Sequence, residues 1–565
     1  MEIQTQLSAK YLFIFWAAAL LWSCGEERKS IKADVVLWQP YNDSAEVAAN
    51  ADHDKERMRY KRIASPVLDK NTVFRPLYAE VSNMTEARYE RLKPIILEQD
   101  IPTINEHIQE GHFTYEELTL FFLYRIYRFE LDHNTHLNTI IALNADVVDR
   151  ARKLDEMSVS GTVPTERHPI YGMPILLKDN INTSGMNTTA GAVALMDNTV
   201  EDAFIVERLK ANGALILGKV NLSEWANFLC RCPNGQSAVG GQTLNPYGRR
   251  VFDTGGSSAG SGTAMAASYA VAAVGTETSG SILSPSSQNS IVGLKPTIGL
   301  LSRTGIVPIS STLDTPGPMT RNVVDNAIVL SAMLGRDGAD PKSVADEFPE
   351  ILSAGLQPES FDNMRLGAIS SLMESDSIYA PMVEKMRALG AEIIEFTPPE
   401  IAMDGFLSIL NIDMRNDLPA YLEAHTDPKR VKIRSVADAV AFNAEDSLVR
   451  ISYGQPLFEG ILADTTTLEE LAGIKQRLEE NGRAFFDAAL DAHDLDAVLS
   501  INNYHAGYAA VAKYPALTLP MGYKGSGEPI GLTFIGKPFS EAHLLRLGKA
   551  FEDATKRRKT PVAYQ

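Results

Sequence analysis

The residues best suited to chemistry in this sequence are one lysine and two groups of serines on glycine-rich segments. The lysine, Lys178, lies within the apolar segment 172–180. The serines lie in residues 255–262, which read GGSSAGSG, and in residues 275–287, which read GTETSGSILSPSS. Serine hydroxyls on tight turns, together with a lysine in apolar surroundings, are groups that can cleave an acyl bond without histidine.

That cleavage defines what each group must do. The carbonyl carbon of an amide is a poor electrophile, so an enzyme needs an activated nucleophile, donors for the oxyanion and a proton for the leaving amine. A lysine can be the base only when it is neutral, and burial lowers the pKa of a lysine because it disfavours the charge. Lys178 follows Ile-Leu-Leu, which favours burial, although a lysine at a strand end is more often solvated.

The second serine-rich segment has the composition of an oxyanion hole. Thr278, Ser279, Gly280 and Ser281 are consecutive small residues whose backbone N–H groups can point into one cavity. An ordinary glycine turn between a strand and a helix is the alternative. The first segment lacks the Gly-Lys-Ser/Thr ending of a nucleotide-binding loop, so it does not predict a phosphate site.

A rival interpretation places the nucleophile at Ser258. Residues 256–260 spell Gly-x-Ser-x-Gly, the nucleophile elbow of α/β-hydrolases, and histidines occur downstream for a triad. The elbow follows a hydrophobic strand, however, whereas residues 249–254 read RRVFDT. The pattern around Ser258 therefore favours another serine as the nucleophile.

Strands and helices alternate along the chain around these segments. Residues 175–177 and 214–220 are typical of buried strands, and residues 258–273 predict a tightly packed helix, or a helix followed by a strand. A capping box at Thr114 predicts the start of an amphipathic helix. The alternation predicts an α/β fold: one large domain with a central mixed, mostly parallel β-sheet flanked by helices. Residues 406–480 are more helical and are expected to cover the active site. Further strands are expected at 366–370, 392–396, 497–499, 517–519 and 532–535.

Several segments, in order and spacing, resemble the amidase signature family of serine hydrolases. The resemblance runs from about residue 95 to residue 560. The matching segments are residues 172–180, 221–227, 255–258, 275–282, 293–297, 314–321 and 514–522.

The resemblance implies a role for each catalytic group. The nucleophile falls on Ser281, the proton-relaying serine in a cis peptide on Ser257, and the general base on Lys178. The oxyanion hole falls on the N–H groups of residues 278–281, and Asp179 and Ser258 are expected to support the site from behind. The family commonly has glycine at position 279 and arginine at position 283, where this chain has Ser279 and Leu283.

The resemblance is strongest to the bacterial peptide amidase branch, which implies hydrolysis of C-terminal peptide amides to acid and ammonia. Fatty, aryl or small aliphatic amides are alternatives, since residues 500–504 read SINNY where many relatives have a Pro-Thr segment. A non-catalytic binding lipoprotein on the same scaffold is the alternative of another class. No metal and no cofactor are implied, and the protein is expected to be a monomer or a homodimer.

The N-terminal residues predict export. Lys10 precedes the apolar run 11–22, which is too short for a membrane span, and Cys24 follows at the position of a lipidated cysteine. The expected organisation is a lipoprotein-type signal peptide at 1–23, a tether and helical extension at 24–95 and an amidase domain at 96–565. The protein is thus expected to be exported in a bacterium, lipid-anchored to the cell envelope or periplasmic, with the anchor as its one membrane contact.

The net charge and the cysteine content indicate which partners and which cysteine pairing are not expected. A formal net charge of −18 argues against a nucleic-acid partner, because such binding rests on basic patches. Two cysteines remain after Cys24, Cys230 and Cys232, and their close spacing predicts separate structural thiols rather than a disulfide.

Overall fold

A single mixed β-sheet organises the molecule. The computed structural model describes residues 35–40, 42–162, 166–344, 348, 350–354 and 360–565. Eleven strands form one sheet in the order β1-β3-β2-β6-β8-β7-β12-β13-β11-β9-β10, and helices flank it. The predicted α/β fold is therefore confirmed. The predicted signal peptide and Cys24 lie outside the described residues.

The strands are short, and most are buried along their whole length. Two further strands, β4 and β5, pair only with each other. The strands are β1 (Ile140–Leu143), β2 (Pro174–Lys178), β3 (Leu215–Val220), β4 (Gln236–Ser237), β5 (Gly241–Gln242), β6 (Ala272–Glu277), β7 (Val292–Lys295), β8 (Thr315–Thr320), β9 (Arg365–Ile369), β10 (Glu392–Phe396), β11 (Ala497–Ile501), β12 (Ala516–Tyr523) and β13 (Pro529–Ile535).

The helices occupy most of the remaining described chain. One of them, α9, is a single turn with left-handed backbone angles at Trp225 and Ala226. The helices are α1 (Ser44–Ala48), α2 (Lys70–Phe74), α3 (Tyr78–Val81), α4 (Glu86–Ile96), α5 (Ile101–Gln109), α6 (Tyr115–Glu130), α7 (Val147–Ser160), α8 (Phe204–Ala211), α9 (Glu224–Asn227), α10 (Ala259–Ala266), α11 (Leu283–Gln288), α12 (Val323–Met333), α13 (Glu350–Ala354), α14 (Ser370–Ser375), α15 (Tyr379–Ala388), α16 (Phe406–His425), α17 (Val436–Ala444), α18 (Ser447–Arg450), α19 (Pro456–Ala463), α20 (Leu468–Leu490), α21 (Ala506–Ala512) and α22 (Glu541–Thr555).

The direction of the strands changes across the sheet. β2 runs parallel to both β3 and β6, and β9 runs parallel to β10 and β11. Between these groups, β8, β7, β12 and β13 form antiparallel ladders. The parallel group matters for the site, because the carboxyl ends of β2 and β6 lie side by side at one edge of the sheet.

Small residues let the helices pack closely on that group. Every residue of α10 is buried, and the helix contains only alanine, glycine, serine, threonine and one methionine. At Gly260 a Cβ atom would lie 2.3 Å from the backbone oxygen of Asn221, so glycine is required there. The sequence 258–273 is thus a helix followed by a strand, the second of its two predicted arrangements.

The segment before residue 96 packs against the body of the protein. Met58, Ile63 and Phe74 are buried in the same hydrophobic core as the central sheet. Asn50 Nδ2 donates to the carbonyl of Arg250, and Ser65 Oγ donates to that of Val239. From about residue 58, the N-terminal extension therefore packs as part of the folded body.

A second hydrophobic cluster lies under the helices α16–α20. Cys230 and Cys232 are part of it, and the structure joins them in a disulfide. The prediction of two separate thiols was therefore wrong, because the chain folds back on itself over these three residues, with their Cα atoms 5.1 Å apart. None of the described helices is long and apolar enough to cross a membrane.

Candidate active site

Lys178 is the last residue of β2 and is fully buried. Its Nζ lies 2.8 Å from Ser257 Oγ, 2.8 Å from Thr276 Oγ1 and 3.1 Å from the carbonyl oxygen of Thr276. Thr276 is reached because β6 lies beside β2 in the sheet. The structure thus joins Lys178 and Ser257, two of the residues that the sequence predicted to act together.

Burial lowers the pKa of Lys178 from 10.5 to about 7, and the negative charges of Asp314 and Glu277 partly oppose the shift. No carboxylate lies within ion-pair distance of its Nζ among the described residues, so hydroxyl and carbonyl groups surround it. The neutral amine is therefore well populated near neutral pH, as a general base requires.

Ser257 lies in a loop that its neighbours hold closely. The Gly256–Ser257 peptide bond is cis, as predicted. The carbonyl of Ser257 accepts a 3.0 Å hydrogen bond from the N–H of Ser223. A Cβ atom at Gly256 would lie 2.6 Å from Ser223 Oγ and 2.8 Å from Asn234 Oδ1, so a larger residue beside Ser257 would displace these side chains.

The hydroxyl of Ser258, the nucleophile of the rival interpretation, is hydrogen-bonded to the backbone. Its Oγ donates to the carbonyl of Thr276 and accepts from the N–H of the same residue, at 3.1 and 3.2 Å. It is fully buried, and no histidine is among its hydrogen-bond partners. This geometry ties the first serine-rich segment to β6 and disfavours attack by Ser258.

Ser281 lies four residues after the end of β6 and is 8% exposed, so it can be reached from solvent. Its carbonyl accepts a hydrogen bond from the N–H of Ser258, which links the two serine-rich segments directly. Among the described residues, the N–H groups of Thr278, Ser279 and Ser281 have no hydrogen-bond acceptor. They remain available to a substrate oxygen.

Glu277 organises the turn that carries Ser281. Its buried carboxylate accepts hydrogen bonds from the N–H groups of Gly280, Ile282 and Leu283, at 2.6, 2.7 and 3.0 Å. The Gly280 N–H, one of the four predicted oxyanion donors, is therefore directed at Glu277 in this structure. One local signal could have pointed to Glu277, since it is a charged residue inside an otherwise small and uncharged segment.

Asp314 is a second, partly buried carboxylate that sequence reasoning did not single out. It accepts hydrogen bonds from Thr278 Oγ1 at 2.5 Å and from the N–H groups of Ile309 and Ser310 at 2.8 and 2.9 Å. Burial raises the pKa of Asp314 to about 6. It immediately precedes β8, which pairs with β6, and this pairing brings it to the same edge of the sheet.

Asp179, which was predicted to support the site from behind, pairs with a lysine of the neighbouring strand. Its Oδ1 lies 3.1 Å from Nζ of Lys219, and both side chains are fully buried. Its Oδ2 accepts from the N–H and hydroxyl of Thr189. The pair fixes the chain just after Lys178 to the neighbouring strand β3.

A cavity of about 430 Å³ opens beside these groups. Thr276, Thr278 and Asp314 line it, as do Tyr421 and His425 of α16, whereas Lys178, Ser257 and Ser281 are not among its lining residues. The helical segment 406–480 therefore contributes to the covering of the site, as expected. The cavity is large enough for a small acyl group or one to two amino-acid residues.

The residues 500–504 approach the predicted nucleophile from the other side. A Cβ atom at Gly280 would lie 2.9 Å from Nδ2 of Asn503, which is exposed. Asn502, in a left-handed conformation, accepts from the N–H of Gly531 through its side chain. This segment, where many relatives have Pro-Thr, thus lies against the turn before Ser281.

Comparisons with known proteins agree with this geometry. A family model described as Amidase matches residues 117–500. A probable amidase from Arabidopsis thaliana is 35% identical over 488 residues, which cover 82% of this chain and 92% of the plant protein. The crystal structure of an amidase family protein from Bacillus anthracis superimposes with a TM-score of 0.82 at 35% identity, covering 89% of this chain and all of that one.

A peptide amidase is also similar. The structure of the native enzyme from Stenotrophomonas maltophilia superimposes with a TM-score of 0.76 at 36% identity, covering 82% of this chain and 98% of that one. The matches extend over most of this chain and nearly all of each relative, and they include the segments that carry Lys178, Ser257 and Ser281. The chain belongs to the amidase signature family and is an amidase, a hydrolase of amide C–N bonds.

Proposed function

We propose that this amidase uses Ser281 as nucleophile, Ser257 as proton relay and Lys178 as general base, and that it hydrolyses the C-terminal amides of peptides. The contact between the buried Lys178 Nζ and Ser257 Oγ, 2.8 Å long, carries the mechanistic part. A lysine with a pKa of about 7 is suited to take a proton from a serine at neutral pH.

In the proposed reaction, a proton is passed from Ser281 through Ser257 to Lys178 and is later returned by the same path. As Ser281 Oγ attacks the carbonyl carbon, its proton passes to Ser257, and the proton of Ser257 passes to Lys178. The ammonium then returns a proton through Ser257 to the leaving nitrogen, which departs as ammonia. Water attacks the acyl-enzyme by the same path and releases the acid and free Ser281.

The oxyanion is held by backbone N–H groups at the turn before Ser281. Thr278, Ser279 and Ser281 carry unoccupied N–H groups, and Gly280 joins them only if its bond to Glu277 rearranges. Loss of one such donor in other serine hydrolases costs about 10²–10³ in kcat. Ser279 contributes through its N–H alone, so the serine that replaces the family's glycine is compatible with the proposal.

Peptide amides are favoured over other substrates by two observations. The peptide amidase from Stenotrophomonas maltophilia is 36% identical over nearly its whole length. The cavity beside Thr278 has a mixed wall, with Asp314, Asp417 and Arg303 among apolar side chains. These charged groups have partners within the protein, and a wall that carries them suits a peptide backbone better than a long fatty acyl chain. Aryl and small aliphatic amides are the further alternatives to be tested.

The decisive experiment measures ammonia release from amidated peptides and fatty primary amides, and aniline release from acyl anilides. We expect the amidated peptides to give the highest kcat/KM. Ser281→Ala should abolish both turnover and labelling by a fluorophosphonate, whereas Ser258→Ala should retain labelling. Full loss at Ser258→Ala together with labelled Ser281→Ala would overturn the assignment, and an unlabelled, inactive wild-type protein would favour a binding role.

We also propose that the protein is exported and anchored through a lipid on Cys24. Leu21-Trp22-Ser23-Cys24 at the end of an apolar run is the supporting observation. Metabolic labelling with a palmitate analogue in a bacterial host should mark the wild-type chain and not Cys24→Ser. An unlabelled chain found in the cytoplasm would contradict the proposal. A monomer or a homodimer is expected, and light scattering after removal of the anchor decides between them.

A further inference from the structure

A group of two histidines and one glutamate lies on the surface at the end of α5, outside the catalytic site. Nδ1 of His107 lies 2.9 Å from Nδ1 of His112, and Oε2 of Glu110 lies 3.7 Å from the first nitrogen and 3.5 Å from the second. Imidazole nitrogen and carboxylate oxygen are common ligands of zinc.

The three atoms have the spacing of ligands around one ion. A point about 2.1 Å from all three atoms lies about 0.7 Å out of their plane, worked from the three separations. That is the position of an ion with tetrahedral ligands, and Zn–N and Zn–O bonds are about 2.0–2.2 Å long. The carboxylate oxygen lies at similar distances from both nitrogens, each too long for a hydrogen bond. We propose that His107, Glu110 and His112 form a binding site for Zn²⁺.

The backbone holds the three residues in this arrangement before any ion arrives. His107 lies in the last turn of α5, and Glu110 caps that helix with its N–H bonded to the carbonyl of Glu106. Gly111 adopts a left-handed conformation with φ +76°, which reverses the chain. The N–H of His112 then bonds to the carbonyl of His107 at 3.0 Å. Little conformational freedom is therefore lost when the ligands meet.

The ion would reach the site directly from solvent. The side chains of Glu110 and His112 are 61% and 49% exposed, and that of His107 is 23% exposed. Three protein ligands leave the fourth tetrahedral position to water. The site lies between α5 and the start of α6, so a bound ion would tie the end of one helix to the segment that leads into the next.

Borderline metals are favoured over hard cations by this ligand set. Two neutral imidazoles and one carboxylate suit Zn²⁺, whereas Mg²⁺ and Ca²⁺ prefer oxygen ligands. Both Nδ1 atoms must be free of protons to bind the ion, so binding displaces the proton that the two nitrogens share in the metal-free protein.

The test is calorimetric titration of the chain, purified without a histidine tag, with Zn²⁺ and separately with Mg²⁺. One Zn²⁺ per chain is expected, with no heat from Mg²⁺. Loss of even an outer-shell partner costs roughly 10–100-fold in metal affinity, so His112→Ala and His107→Ala should each weaken binding by at least about tenfold. Glu110→Gln should also weaken it, because a neutral amide oxygen is a poorer ligand than a carboxylate.

His493→Ala is the matched control, since His493 is exposed and lies outside this group. That variant should bind Zn²⁺ like the wild type. Co²⁺ titration gives a second readout, because four-coordinate Co²⁺ absorbs strongly in the visible region and its bands should vanish in His112→Ala. Amide hydrolysis, measured in parallel, reports that each variant is folded. Absence of stoichiometric binding, or binding that the three variants leave unchanged, would overturn the proposal.

Discussion

The neutral form of Lys178 predicts how activity depends on pH. With a pKa of about 7, the neutral fraction is about one half at pH 7, about one tenth at pH 6 and about one hundredth at pH 5. The value of kcat/KM should therefore rise about 50-fold from pH 5 to pH 7 and only about twofold from pH 7 to pH 9. An amidated peptide without ionisable groups is the substrate, with ammonia release as the assay.

A substitution at Asp314 tests whether the structure explains this pH profile. Its carboxylate raises the pKa of Lys178, because a negative charge nearby favours the ammonium form. The pKa of Asp314 itself is about 6, so the carboxylate is ionised where Lys178 titrates. Asp314→Asn should therefore move the rise in activity to lower pH. If the midpoint moves from about 7 to about 6, the neutral fraction at pH 6 increases from about one tenth to about one half.

Only the midpoint of the rise is compared, because Asp314→Asn also changes the bonds to Thr278 and lowers the plateau. Asp417→Asn is the matched control: Asp417 lines the same cavity and is not among the causes of the Lys178 shift. A flat profile between pH 5 and pH 8 with chemistry rate-limiting would refute the role of Lys178 as a neutral base. A midpoint that moves upward in Asp314→Asn would refute the electrostatic reasoning.

Three further predictions follow from the same contacts. Lys178→Met should abolish turnover. This variant should also be more stable than the wild type at pH 7, and the difference in free energy of unfolding should shrink by about 2 kcal/mol between pH 7 and pH 9. The reason is that the unfolded wild-type lysine binds a proton that the folded one has lost. Glu277→Gln leaves one N–H of the Ser281 turn without an acceptor, which costs about 1–3 kcal/mol and should lower kcat more than it raises KM. Gly256→Ala overpacks the loop of the relay serine and should cost about 1–3 kcal/mol and most of the activity, whereas Gly473→Ala, with open space around it, should be tolerated.

Urea unfolding at several pH values measures the stability changes, and steady-state kinetics measure the rest. A constant difference between Lys178→Met and the wild type from pH 7 to pH 9 would show that the folded lysine keeps its proton. Unchanged kcat in Glu277→Gln, or full activity in Gly256→Ala, would mean that these contacts do not position the catalytic serines.

Local patterns predicted the elements that begin and end with clear signals. The capping box at Thr114 is present, with α6 following it, and the apolar runs before Lys178 and Val220 are strands β2 and β3. The strands β7 and β8 were not predicted. β8 reads TPGPMT, whose two prolines and one glycine are typical of turns, and it is a strand because its partners β6 and β7 enclose it. The antiparallel middle of the sheet therefore depends on long-range pairing that no local pattern records.

The candidate site also contains residues that the sequence predicted and residues that only the structure shows. Motif order was enough to propose Lys178, Ser257 and Ser281 as the catalytic residues, because the resemblance extends to the residue types at these positions. The carboxylates Glu277 and Asp314 could not be proposed in this way, since their role depends on which N–H and O–H groups the fold turns toward them. The hydrogen bond from the Gly280 N–H to Glu277 likewise depends on how the turn folds.

Two buried lysines show how the fold assigns different tasks to one residue type. Lys178 and Lys219 lie at adjacent positions of the neighbouring strands β2 and β3, and both are fully buried. Burial lowers the pKa of each, but Lys219 has the carboxylate of Asp179 at 3.1 Å to favour its charge. Lys178 has only hydroxyl and carbonyl partners, and the carboxylates that raise its pKa lie beyond ion-pair distance. Lys219 thus ties β3 to the chain after Lys178 through its pair with Asp179, whereas Lys178 lies among hydroxyl and carbonyl groups, as the proposed base requires.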